Sequence, residues 1–255
     1  AETLRHRGDL AEVELATSLV TELRLLVTRR TGLVGARVRL VHRLRDVLSG
    51  YFPALERAFD YAHSRGALTL LTGYQTPQAI RRAGQSRLRT WLVKRKVPSA
   101  DQIATDALAA AKAQHTVVPG QDVAATIVAD LATQLLAIGS RISELDTRIS
   151  TTFRAHPQAE IIESLPGMGP TLGAELIAAA GDLAGYANAG RLASAAGLVP
   201  VPRNSGRRTG NLHRPMRYSR KLRRVFYLSA SAAMMREGPN RDYLPQEARR
   251  GPRAR

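Results

Sequence analysis

Cysteine is absent from this 255-residue chain. That excludes a disulfide framework, thiolate zinc sites and a cysteine nucleophile, and it fits a reducing compartment. Aromatic residues make up only 5%, so the core must rely on Leu, Ile, Val and Ala, as packed helices do. No Walker loop, HExxH pair or dinucleotide-binding glycine fingerprint occurs. The histidines (His6, His42, His63, His115, His156 and His213) show no metal-ligand spacing, and no convergent acidic set is evident, so no metal site is expected. No apolar run is read as long enough for a membrane span, and the first residues lack a signal-peptide pattern. The expected location is the cytoplasm, with no membrane partner.

What is abundant is positive charge. The net charge is +17, and only four of the 38 basic residues are lysines. Arginine-rich coding could raise the total everywhere, but the charge is uneven. Residues 203–255 hold 15 Lys/Arg against three Asp/Glu, whereas residues 157–202 hold Arg191 against four acids. Such concentration is the electrostatic footprint of a polyanionic partner, most often nucleic acid. The hydrophobic share of 44% is too high for a disordered chain.

The periodicity predicts a mainly α-helical fold. Leu19, Leu23, Leu26, Arg30, Leu33, Val38, Val41, Leu44 and Leu48 recur at near-helical steps, giving one long helix over 14–49 that Gly50 and Pro53 end. Shorter helices follow over 60–118. Thr76-Pro77 is a cap and first-turn pair, and Ser99-Ala-Asp101 starts another helix. Arg81, Arg82, Arg87, Arg89, Lys94, Arg95 and Lys96 make this middle region basic, and Trp91 among them reads as a packing anchor. After Val118-Pro119-Gly120 a second long helix runs from about Asp122 to His156. Its seam is Ile127, Leu131, Leu135, Ile138, Ile142, Leu145, Ile149 and Phe153, close to a heptad repeat. So narrow a stripe suits a partner helix, in the same chain or another subunit, and equally a globular bundle.

Residues 161–180 read as two helices joined by a tight turn. Pro166-Gly167-Met168-Gly169 forms the turn, and Pro170 opens the second helix, which continues from Thr171 to Ala180. Glycines let backbone approach a ligand closely, and N–H groups at a helix start bind phosphate. The pattern resembles the helix-hairpin-helix motif, which grips backbone without reading sequence. Its candidate contacts are Gly167, Gly169 and Thr171. The alternative is a tight helix corner without a ligand.

Pro202 to Gly210 is expected to be irregular, which puts Ser205 on a loop flanked by Arg203, Arg207 and Arg208. Guanidinium groups bind phosphate oxygens, and a hydroxyl beside them could attack phosphorus. A serine in a Gly/Arg loop is also an ordinary turn residue. A basic helix follows from about Met216 to Met235. Arg217, Arg220, Lys221, Arg223 and Arg224 crowd its start, and Leu222, Val225, Phe226, Leu228 and Ala232 are set to face inward. With Arg214, these cations are candidates for a phosphate backbone.

Taken in order, the two long helices, LPGMGPTLGAEL, GLVPVPRNSGRRTGNLHRP and the basic helix resemble the IS-one-ten-type insertion-sequence transposases, from near residue 10 to about residue 243. The resemblance implies a serine-dependent recombinase guided by a bridge RNA, with Ser205 as nucleophile. It also implies a nuclease-like N-terminal domain whose DEDD acidic set binds magnesium, and a coiled-coil region that helps assemble subunits. The chain starts after that acidic set and ends in an unrelated basic stretch, so it reads as a fragment, with no cofactor of its own and strand cleavage not expected.

The expected organisation is a remnant of the N-terminal domain with the long helix (1–60), a basic helical middle (61–118), a coiled-coil-like helix (119–156), a C-terminal transposase domain (157–237) and a basic tail (238–255). Expected partners are DNA, a structured guide RNA and further copies of the chain through the long helices. The alternatives are a non-catalytic DNA-binding module and a decayed fragment.

Overall fold

The computed structural model describes residues 17–181, 183–202, 210–237 and 240–242, and these residues are mainly helical. Helix α1 spans Ser18–Tyr51, α2 Pro53–Ala58, α3 Arg65–Leu71, α4 Pro77–Lys94, α5 Ala100–Ala113 and α6 Gln121–Arg154. Then come α7 (Ala159–Glu163), α8 (Pro170–Ala180), a 3-10 turn (Leu183–Gly185), α9 (Ala189–Ala195), the two-residue strands β1 (Val201–Pro202) and β2 (Leu212–His213), and α10 (Arg220–Met234). Two compact units result. One takes α1 up to Arg29 and everything from Asp146 onward; the other takes Arg30–Leu145. The cuts fall inside α1 and α6.

The 30–145 unit is built on α4 and α5. Ala100, Ala104, Ala107, Ala110 and Ala111 are buried along α5, so its backbone can lie close to α4. Ile80, Leu88 and Leu92 answer from α4, and Leu44, Leu48, Phe52 and Leu55 complete the core. The Thr76 hydroxyl caps α4 by accepting from the Ala79 N–H at 3.2 Å, as the Thr-Pro pair predicts. Ser99 precedes α5 but makes no side-chain cap. Asp101 in its first turn pairs with Arg89 at 2.5 Å.

The expected seam of α1 holds at Leu23, Leu26, Leu33, Val41, Leu44 and Leu48, all buried. It fails at Val38, which is 51% exposed. Counting by helical turns from Leu33 reaches position 37 before Val41, and Arg37 takes that place. It keeps its head polar by donating to the Ala62 carbonyl at 2.6 Å.

Helix α6 corrects a second expectation. By length and composition alone it is long and apolar enough to cross a membrane. Here Val128, Leu131, Ala132 and Leu135 pack into the core of the 30–145 unit, and Ile149 and Phe153 are buried in the other unit. Ile127, expected in the seam, is 45% exposed.

In the second unit α1 and α6 meet through Arg148, which donates to Glu22 at 2.7 Å, and Arg24 donates to the Ala178 carbonyl of α8 at 3.1 Å. Helix α8 approaches α6 and α7 closely: a Cβ on Gly173 would lie 2.6 Å from the Phe153 ring and 3.0 Å from Ile162.

Candidate nucleic-acid interface

Helix α7 ends at Glu163, capped by Ser164, and the chain turns through Pro166–Gly169 into α8, where Pro170 is the first helical residue. The two glycines of the turn face different surroundings. Gly167 has φ +74, and a Cβ there would lie 2.2 Å from the Ser229 carbonyl oxygen and 2.9 Å from the Ala233 nitrogen. Its bare backbone is therefore what lets the turn rest on α10. Gly169 has nothing within 4 Å of the same position. It precedes the first N–H groups of α8, which no intrahelical carbonyl reaches. The turn thus packs on one side and is open on the other, and Thr171 is half-buried beside the open side.

Helix α10 is tied to this turn. Ser229 Oγ donates to the Pro166 carbonyl at 2.8 Å. Arg224 pairs with Glu175 of α8, whose side chain is only 10% exposed. Leu222, Val225, Ser229 and Ala233 form the buried stripe, while Phe226, Leu228 and Ala232 are half-buried. Ser219 caps the helix by accepting from the Leu222 N–H at 3.3 Å. On the outer side Arg217, Arg220 and Lys221 are exposed and make no hydrogen bond or ion pair among the described residues. No acidic residue occupies the first turn. Arg224, expected with them, is 55% exposed and holds Glu175, so it serves both the packing and the basic surface.

A third part lies next to α10. Strands β1 and β2 pair antiparallel, Val201 with His213 and Pro202 with Leu212. Pro202, expected in irregular backbone, is therefore the end of a ladder, a place proline tolerates. Ser205, Arg203, Arg207 and Arg208 fall between the strands and lie outside the described residues. Tyr218 packs on Gly197, where a Cβ would come within 2.6 Å of its ring and where φ is +69. Arg214 donates to its hydroxyl at 3.3 Å, and the Arg223 guanidinium lies 5.3 Å from the ring centre. Burial resists ionisation of this hydroxyl, but the charges of Arg214 and Arg223 outweigh it and hold the pKa below the ordinary tyrosine value. Arg223 Nη1 is buried without a hydrogen-bond partner among the described residues.

Tyr218, Glu175 and Ser229 were not singled out from the sequence. Glu175 carried a signal, as the one acid in the apolar run PTLGAELIAAA, where a buried carboxylate needs a partner. Among the described residues no group of three His, Asp or Glu side chains could hold a metal ion. What this surface offers a ligand is therefore cationic side chains and helix-start N–H groups, the chemistry of phosphate binding.

Residues 159–244 match the family model described as "Transposase IS116/IS110/IS902 family", and residues 1–53 match a second one described as "Transposase". The insertion element IS116 uncharacterized 44.8 kDa protein of Streptomyces clavuligerus is 58% identical over 95% of the chain and 61% of its own length. The insertion element IS900 uncharacterized 42 kDa protein of Mycobacterium paratuberculosis is 48% identical over 99% of the chain and 64% of its own length. The insertion element IS110 uncharacterized 43.6 kDa protein of Streptomyces coelicolor is 34% identical over 98% and 62%. The chain thus spans less than two thirds of the length of the curated relatives it matches.

Proposed function

The chain belongs to the IS116/IS110/IS902 family of transposases, and from that membership we propose that it binds the DNA of an insertion sequence through the open start of α8 and the outer face of α10. The observation that carries this reading is the coupling of the two surfaces. Gly167, the Ser229–Pro166 bond and the Arg224–Glu175 pair lock the turn to the basic helix. Arg217, Arg220 and Lys221 then meet phosphates as a preset group, which lowers the ordering cost of binding. Contacts of this kind grip backbone and leave sequence choice to another reader, the role a structured guide RNA takes here.

In this reading Ser205 is the nucleophile. Its Oγ forms a bond to a DNA phosphorus as its proton passes to a base, and one deoxyribose O–P bond breaks, the freed oxygen taking up a proton from an acid or water to leave as a hydroxyl. Arg203, Arg207 and Arg208 neutralise the charge that develops on the phosphoryl oxygens. Further copies of the chain cover apolar side chains that the long helices expose, Val123 and Ile127 on α6 and Leu25 on α1. The reaction takes place on intracellular DNA.

Trapping with labelled element-end DNA tests the proposal in a relative spanning the full insertion-element protein, with the chain itself, from which strand cleavage is not expected, alongside it. Ser205→Ala is expected to abolish a denaturant-resistant protein–DNA adduct and recombination, with binding nearly unchanged. An alanine variant that still recombines overturns the nucleophile. Binding that persists in the combined Arg217→Ala, Arg220→Ala, Lys221→Ala variant overturns the interface. Salt-sensitive binding with no adduct from either protein marks a non-catalytic DNA-binding module.

A further inference from the structure

The forty residues from Tyr61 to Ala100 contain no Asp or Glu and eight Lys/Arg. The structure sorts these cations by what they do. Arg81 donates to the Ala111 and Gln114 carbonyls at 2.5 and 2.7 Å and closes the end of α5. Arg89 pairs with Asp101, and Arg95 lies 3.6 Å over the Trp91 ring. Arg65 opens α3; the other four, Arg82, Arg87, Lys94 and Lys96, lie on α4 and its end, are exposed, and their side chains make no hydrogen bond or ion pair among the described residues. Arg87 and Lys94 stand two helical turns apart on the side opposite buried Leu88 and Leu92. That stripe is about 10 Å long at the rise of an α-helix.

Lys96 adds an independent sign. It ends α4 with φ +56, the one non-glycine residue at positive φ among those described, and its N–H donates to the Val93 carbonyl at 2.9 Å. Glycine or asparagine usually takes this helix-ending position, because a side chain there is strained. The lysine at this strained position puts charge where glycine would be the more stable choice.

We infer that α4 and its end, in the 30–145 unit, form a second surface for a nucleic-acid phosphate backbone, separate from the α10 face. The partner is backbone and not base. The Trp91 ring has Arg95 over it and the Tyr74 ring edge-on at 5.3 Å, and Gly73 is packed against it, so it is engaged within the protein instead of offering a stacking platform. Four unpaired cations on a duplex contribute a salt-dependence slope of about −3.6, at roughly −0.9 per phosphate neutralised.

The test uses the full chain, a DNA duplex and, in parallel, a structured RNA hairpin, with binding measured across a salt series. Joint substitution of Arg82, Arg87, Lys94 and Lys96 by alanine is expected to flatten the slope by about 3–4 for the nucleic acid that uses this surface, which tells DNA from RNA. Circular dichroism must show the helical content retained. Lys96→Gly alone is expected to raise the melting temperature while weakening binding, a combination that a purely structural lysine does not produce. An unchanged slope for both nucleic acids overturns the inference and leaves the α10 interface standing. So does loss of binding to acidic phospholipid vesicles alone. If the Arg217, Arg220 and Lys221 variant binds normally while the α4 variant does not, the α10 interface fails and this surface stands.

Discussion

Gly167→Ala separates packing from ligand contact in the hairpin. Gly167 sits at φ +74, where an L side chain is strained by about 1–2 kcal/mol. The new methyl would lie 2.2 Å from the Ser229 carbonyl oxygen and 3.1 Å from Ala232 Cβ. Helix α10 must then withdraw by roughly 1 Å, an overpacking cost of about 1–3 kcal/mol. Withdrawal stretches the 2.8 Å bond from Ser229 to Pro166, worth about 1 kcal/mol. The total is about 3–6 kcal/mol, a large part of a typical domain's stability. Gly169→Ala meets no atom within 4 Å at φ −99 and should cost under about 0.5 kcal/mol. Urea unfolding followed by circular dichroism measures the difference. Hydrogen exchange of the α10 amides locates it, because Ser229 to Ala233 should lose protection only in Gly167→Ala. If Gly167→Ala unfolds within about 0.5 kcal/mol of the parent, the turn does not rest on α10 as described. Gly169→Ala, folded but with a methyl at the open side, is then the variant whose DNA affinity tests the proposed phosphate contact at the start of α8.

Two further outcomes are expected. Arg224→Ala leaves the Glu175 carboxylate, 10% exposed, without its partner, and should lower stability by about 1–2 kcal/mol, a modest figure because Arg224 itself is half in solvent; paired replacement by Glu175→Gln and Arg224→Gln should recover part of the loss in the same unfolding assay. In the 30–145 unit Tyr51 donates to the Gln75 carbonyl at 2.9 Å and Tyr61 to the Leu55 carbonyl at 2.8 Å, and burial pushes both hydroxyls well above the ordinary value of 10.0. Their folded pKa values are raised, so the stability they confer is complete below pH 10.0 and is lost as pH rises past it. Trp91, the single tryptophan, reports this unit: its urea midpoint should fall above that pH and fall less in a Tyr51→Phe, Tyr61→Phe chain.

Local signals in the sequence were readable wherever one residue type decides the outcome. Thr76 before Pro77 capped α4, Pro170 opened α8, and Gly50 with Pro53 bracketed the end of α1 at Tyr51. What depends on distant partners was not readable. Nothing near Gly167 distinguishes it from Gly169; the difference is made by α10, whose Ser229 lies 63 residues beyond Pro166. Val38 and Arg37 are neighbours, and only the Ala62 carbonyl makes the arginine the inner one. The cuts at Arg30 and Leu145 lie within continuous helices, where no proline marks a boundary and the nearest glycine, Gly32, sits inside α1 without ending it. At the site, the basic face of α10 was visible as a run of cations, whereas Tyr218 depends on Gly197 lying beneath its ring.

The two sides of α10 lead to an asymmetry that charge alone does not predict. Its inner stripe, Leu222, Val225, Ser229 and Ala233, is welded to the hairpin, and Arg224 reaches from the outer side to a buried acid. At the proposed interface, removing Arg217, Arg220 or Lys221 therefore subtracts a cation without touching the packing, and binding should fall by a similar factor at each. Removing Arg224 subtracts a contact and loosens α8 from α10, so the start of α8 loses its fixed position as well. Among exposed cations of equal charge, Arg224 should have the largest effect on binding, and that excess should shrink when Glu175 is made neutral. A simple basic patch, in which only the number of charges matters, gives four equal losses that do not depend on residue 175.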